Sequence, residues 1–358
     1  MVIGLDAVRY AAVNARVRGM RSQLLDRATW RALLTTDDLD SAMVLLRTSV
    51  YGQAIAAAEQ RGAVSLEQVE RHLWGIVARN CQRVMALTGG GNRALLLTWW
   101  RHFELENLKA MLRGFDQSMS PERIGGFLIP LGERFTLPWD TLLREHSLGS
   151  LIDRLATTRY GSALRAAYPL YQRDRSLFAL EIAADIRYYR DLAAAIMRLR
   201  GDDGKDARRL LGTRLDMLNI LWAFRHRIYY GLSPEEIINY TLWHTIRTDV
   251  DLVRDIALGD DPAAILARVW GEEAFDLSFL EDAQSDGEMM LGLELTLHRY
   301  WHSLATGAMG GYPFGLGALL GYVVLGELEA QDLVTVLEGK GMGWSHERIS
   351  EHLIGWEE

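Results

Sequence analysis

Three stretches of this chain repeat one another in the same order, and a chain built from repeats is bound to a fold in which similar units pack side by side. The first anchor is a tryptophan followed by a short helix and a turn. Trp30 leads to LLRTSVYGQAI (45–55) and Trp139 to RLATTRYGSAL (154–164), and the step from Trp30 to Tyr51 equals that from Trp139 to Tyr160. A weaker third copy runs from Trp243 to DIALGDDPAAI (255–265), where Asp-Pro stands in the position of Tyr-Gly. Either dipeptide suits a turn between helices.

A second anchor is an acid, then Asn or Asp three places on, then apolar residues one and five places after that. It reads Glu104, Asn107, Leu108 and Leu112; then Asp216, Asn219, Ile220 and Phe224; then Glu329, Asp332, Leu333 and Leu337. The third anchor follows the Asn or Asp at nearly the same remove in each copy, as Ser120-Pro-Glu-Arg-Ile, Ser233-Pro-Glu-Glu-Ile and Ser345-His-Glu-Arg-Ile. Serine as N-cap, proline at the first helical position and acids in the first turn make a helix start with a mechanism. The anchors divide the chain into 1–134, an N-terminal helix plus the first repeat, 135–238, the second, and 239–358, the third.

β-branched alternation is rare, and long Ala/Leu/Arg/Glu runs favour helices. Helices of four turns or more are predicted at 67–87, 92–113, 174–200, 205–227, 288–305 and 314–337, so the expected fold class is all-α. The Gly/Asp-rich patches at 89–92, 201–206 and 259–262 read as short loops. Residues 303–326 hold no charged side chain, but seven glycines and Pro313 interrupt them, so a buried core helix fits better than a membrane span. Glycines at 308–321 are expected to loosen that region.

At 358 residues with 49% apolar content, the chain can build a substantial core. Its formal net charge of -8 is the wrong sign for neutralising phosphates, which argues against nucleic acid as a partner. Cys81 stands alone, and the N-terminus lacks the charged-then-apolar pattern of a signal peptide, which points to a reducing, cytoplasmic setting.

Three motifs that suggest chemistry lack the parts that chemistry needs. GDDGKD (201–206) offers Asp202, Asp203 and Asp206 in the manner of a magnesium-diphosphate enzyme, but no second acidic motif faces it, and a solvated loop is the expectation. Glu294, His298 and His302 are spaced four apart, as zinc ligands on a helix are, without a glutamate beside His298 to act as base. GGGN (89–92) precedes a helix but has no strand before it and no Lys-Ser or Lys-Thr after it. No catalytic, cofactor or metal set is proposed.

The repeated acid and Asn share a helix face with core residues, and burying a carboxylate is costly unless it is paired. Either each acid accepts hydrogen bonds that fix the register of its repeat, or the acids line a shared cavity. Arg113 and Arg225 follow the pattern on another face, where a solvated position is expected; copy three has Glu338 there.

The run Tyr10-Ala-Ala-Val-Asn-Ala-Arg-Val-Arg18, with ELENLKAMLRG (104–114) and PFGLGALLGYVVLGELEAQDL (313–333), resembles a family of rotary V-type and archaeal-type ATPase components, the C subunit of prokaryotes and the d subunit of eukaryotes. The resemblance covers nearly the whole chain. It implies three helical bundles in a pseudo-threefold funnel, a non-catalytic socket between central-stalk subunits and the proteolipid rotor ring. It also implies a peripheral place on the cytoplasmic side of the membrane, attachment through the ring, and no need for a homo-oligomer. Candidate interface or inter-helix residues are Arg16, Arg18, Glu104, Asn107, Arg113, Asp216, Asn219, Arg225, Glu329 and Asp332. A helical-repeat scaffold of an unrelated complex is the alternative.

Overall fold

The computed structural model describes residues 4–59, 65–243 and 245–356, with the side chains of 4–9 excepted. Helices account for its regular structure, and no strand occurs among the described residues. All six long helices expected from the sequence are present: Leu66–Ala86, Gly90–Asp116, Phe178–Arg198, Asp286–Gly310, Leu316–Gly341, and a last one that runs through three geometries. That one is α-helical over Gly201–Ala207, π-helical over Arg208–Gly212 and α-helical again over Thr213–Ile228.

Two of the expected loops are helix starts. Helical geometry begins at Gly90 and Gly201, so GGGN and GDDGKD lie largely within first turns. Gly90 at φ 54° and Gly201 at φ 61° take the left-handed conformation that turns the incoming chain into the helix, a step that other residues make only with strain. GDDGKD is not a solvated loop either. Asp206 accepts from the Gly317 N–H at 2.7 Å and Asp203 from the Leu316 N–H at 3.3 Å, so both cap Leu316–Gly341. Asp203 also receives the Tyr10 hydroxyl at 2.6 Å.

The repeat anchors keep their local roles. Tyr51 and Tyr160 stand immediately before helices Gly52–Glu59 and Gly161–Asp174, and Asp261 before Pro262–Trp270. A Cβ on Gly52 would strike the Arg47 carbonyl, and one on Gly161 the carbonyls of Leu155 and Ala156, which explains Gly after Tyr. Ser120 and Ser233 accept from the N–H groups of Arg123 and Glu236, and Ser345 from that of Arg348, each at 3.3 Å. The isoleucines of these short helices, Ile124 and Ile349, press on Gly114 and Gly339. Copy two has His226 at that glycine position, buried between the rings of Tyr230 and Tyr240.

The described chain divides into two compact units. One comprises the described residues of 18–192 and 329–350, and the other those of 1–17, 193–328 and 351–358. In the first, Leu333 and Leu337 join Leu33, Leu46, Tyr51 and Leu73 in one apolar cluster. In the second, Leu215, Phe224, Leu293, Leu297 and Trp301 are buried. Its glycines serve close approach as well as freedom: a Cβ on Gly321 would collide with the Ala305 carbonyl. No helix among the described residues is long and apolar enough to cross a membrane.

Candidate functional site

Glu104, Asn107, Asp216, Asn219 and Asp332 are buried, each at most 3% exposed. Glu329 is half-buried. A buried amide has to find partners for both its donor and its acceptor. Asn107 does so by imitating a backbone strand: its Nδ2 donates to the Ile129 carbonyl at 2.9 Å, and its Oδ1 accepts from the Ile129 N–H at 2.6 Å. Asn219 repeats this on Leu242, at 3.1 and 2.8 Å. Each asparagine thereby holds the chain that follows its short capped helix.

Each acid is met by the segment that opens a tryptophan anchor. Asp216 Oδ1 accepts from the N–H groups of Ile246, Arg247 and Thr248 at 3.0, 2.8 and 3.0 Å, and from the Thr248 hydroxyl at 3.1 Å. Glu329 accepts from the Leu25 N–H at 3.0 Å and from the Tyr51 hydroxyl at 2.6 Å. Glu104 is flanked by Thr136, Leu137 and Tyr160, with Arg159 Nε at 3.5 Å. Tyr51 and Tyr160 are the two tyrosines of Tyr-Gly, so the first and third acids meet equivalent groups.

Burial favours the neutral carboxyl in all three. It pushes Glu104 up to about 7, with Arg101, the Leu137 N–H and the hydroxyls of Tyr160 and Thr136 pulling the other way. Glu329 rises to about 8, burial being opposed by Tyr51, Leu25 and Trp30 and aided by the charge of Asp332. Asp216 is raised by burial against its three backbone donors.

Arg113 and Arg225 are not merely solvated. Arg113 Nε lies 2.5 Å from Glu181, and Arg225 Nη2 lies 2.5 Å from Glu294. Sequence reasoning missed this second column of acids and gave Glu294 to a metal pattern. The signal was available in spacing, because the step from Arg113 to Glu181 differs by a single place from the step between Arg225 and Glu294. His298, of the same apparent metal set, is buried, sits 3.0 Å from Arg214, and is pushed down to about 3 by burial and then by that guanidinium. Such a ring stays neutral.

Arg16 and Arg18 are exposed on helix Gly4–Arg21. Asn14 of the same motif is buried and donates its amide to the Pro313 carbonyl. The candidate residues therefore fall into three sets: buried or half-buried acids and amides on the long helices, the ion-paired Arg113 and Arg225, and exposed arginines on the N-terminal helix.

Residues 13–352 match the family described as ATP synthase (C/AC39) subunit. The chain is 24% identical to the C subunit of the A-type ATP synthase of Methanocaldococcus jannaschii, over 98% of its own length and 87% of the relative's. It is 25% identical to that of Methanosarcina mazei, over 96% of the chain and 92% of the relative. To that of Haloquadratum walsbyi it is 25% identical, over 96% and 97%.

Proposed function

The chain belongs to the ATP synthase (C/AC39) subunit family, and from that premise we propose that it is a non-catalytic coupling subunit of a rotary ATPase, the socket that joins the central stalk to the proteolipid ring. The observation that carries the proposal is the repetition of one junction, an acid and an asparagine on a long helix clamping loops elsewhere in the chain. An element that passes torque has to resist shear, and buried polar links give register that apolar packing alone leaves free to slide.

The three repeats, 1–134, 135–238 and 239–358, form on this reading a pseudo-threefold funnel. The support is the contact of Glu329 with Leu25 and Tyr51, which joins the third repeat to the first in the way that Glu104 approaches Leu137 and Tyr160. Exposed Arg16 and Arg18 are candidates for contact with stalk or ring. Glu104, Asn107, Asp216, Asn219, Glu329 and Asp332 hold the repeats internally, and Arg113 and Arg225 tie neighbouring helices. Attachment to the membrane is indirect, through the ring.

The test is affinity capture of the tagged full chain from detergent-solubilised membranes, with partners identified by mass spectrometry. Recovery of central-stalk and proteolipid subunits supports the socket. Recovery of an unrelated set, or of the chain alone, overturns it in favour of a helical scaffold elsewhere. Arg16→Ala with Arg18→Ala is expected to weaken capture, and unchanged recovery removes these two from the interface.

A further inference from the structure

The three long helices that receive a neighbouring repeat share a buried column at every fourth position. It runs Val69, Leu73, Val77 and Cys81 in the first, Leu180, Ala184, Tyr188 and Leu192 in the second, and Leu293, Leu297, Trp301 and Ala305 in the third. Directly after the head of each column stands a glutamate: Glu70, Glu181 and Glu294. Two of the columns also share a long-range bond, since the Tyr188 hydroxyl donates to the Trp99 carbonyl and Trp301 Nε1 donates to that of Leu210.

The residue facing each glutamate lies six places after the repeated Asn or Asp: Arg113, Arg225 and Glu338. Two junctions therefore close as a guanidinium on a carboxylate. In the remaining one Leu333 and Leu337 share an apolar cluster with Val69 and Leu73 from the helix that carries Glu70, and the charge of Glu338 acts on Glu70. Glu67 adds a third acid beside Glu70, whose pKa is raised by burial first and by both neighbouring charges, against a hydrogen bond from Trp74. Lys340, two places after Glu338, does not compensate. It is turned inward and donates to the carbonyls of Leu34 (2.7 Å) and Thr36, with Asp37 and Asp38 as the charges acting on it. Gly326, inside the helix just ahead of this segment, removes a further measure of helix stability.

We propose that the segment 329–350 is a releasable arm. It lifts from the helices at 27–86 as a cooperative piece while the other two junctions stay closed, because its electrostatic contact repels where theirs attract. Apolar packing and the Glu329 contacts hold it in place, and Glu338 lowers the cost of letting go. The sign of the salt effect distinguishes this junction. Screening relieves a repulsion and weakens an attraction, so added salt tightens the arm and loosens the Arg–Glu junctions. The inference concerns the chain alone and stands whether or not the socket reading does.

The experiment is hydrogen–deuterium exchange of the full chain at low and high sodium chloride, followed by mass spectrometry on peptides from 329–345, 104–116 and 216–228. Arm peptides are expected to exchange faster than the other two sets at low salt and to gain protection relative to them at high salt. Glu338→Arg, which copies the other junctions, is expected to slow arm exchange roughly threefold to tenfold, with Glu338→Gln falling between it and the wild type. Arg113→Glu provides the converse and should speed exchange at 104–116. Arm exchange as slow as that of 104–116, arm protection that falls with salt, or no change in Glu338→Arg would each overturn the proposal.

Discussion

Asp216 and Glu329 occupy the same place in successive repeats, each a carboxyl on a long helix, the first buried and the second half-buried. They are satisfied in different ways. The short side chain of Asp216 stays close to its helix, and a loop bends its backbone to meet it, with three N–H groups and a hydroxyl on one oxygen. Glu329 reaches farther, finds one N–H and the side chains of Tyr51 and Trp30, and has Asp332 as a like-charged neighbour. The repeat keeps a location for an acid, while the number of fixed donors around it decides whether that acid acts as a nail or as a titrating group.

The largest effect should come from removing the nail. Asp216→Ala takes the acceptor from three N–H groups, the buried one of Thr248 among them, and is expected to cost about 3 kcal/mol, read as a shift of the urea midpoint at constant m-value. Asp216→Asn keeps an acceptor and should cost about 1 kcal/mol. If the two variants are equally destabilised, the N–H contacts are not what makes this position matter.

A pH series sharpens the contrast. The folded-state pKa of Glu329 lies above its unfolded value, so the folded chain binds the extra proton; that contribution is full below the unfolded pKa near 4.5 and is lost as pH rises through about 8. Urea midpoints taken from mildly acidic to mildly alkaline pH should therefore fall, and Glu329→Gln should flatten the fall. Glu104, pushed up to about 7, contributes in the same direction and completes its loss at lower pH. A slope that Glu329→Gln leaves unchanged would assign the titration elsewhere.

The smallest effect belongs to the outer ion pairs. The side chains of Arg225 and Arg113 are 37% and 54% exposed, so a double-mutant cycle of Arg113→Ala with Glu181→Ala should give a coupling of roughly 0.2 to 1 kcal/mol that shrinks with salt. A coupling above about 2 kcal/mol would place these pairs on the same footing as the buried acids.

What is legible in the sequence is whatever depends on local chemistry at fixed spacing. Ser120, Ser233 and Ser345 read as caps because capping is a matter of neighbouring residues, and the acid and Asn stand out because polar groups at core spacing are conspicuous. The partners of those groups are not legible. Ile129 and Leu242 meet asparagine through backbone atoms, which leave no mark on residue identity. Glu181 and Glu294 are ordinary helix-face acids until the helix they touch is known. The glycine-rich starts at Gly90 and Gly201 look like loops by composition, which is silent about the chain's need for a left-handed residue at a helix entrance. Asp203 and Asp206 look free because the helix they cap lies far downstream.

The π-helical turn at Arg208–Gly212 bears on how these repeats have diverged. Gly201 stands one place farther from Asn219 than Gly90 does from Asn107, so the second copy carries one more residue over the same stretch. The carbonyls of Trp99 and Leu210, used alike by the neighbouring helices, differ by the same single place in their distance from the asparagine, which puts the addition within or just after the π turn. A wider turn swallows the newcomer, and Asp216 and Asn219 still face their loops. The molecule has kept an insertion as a local change of pitch, and a chain shortened by one residue there should simply wind back into an α-helix.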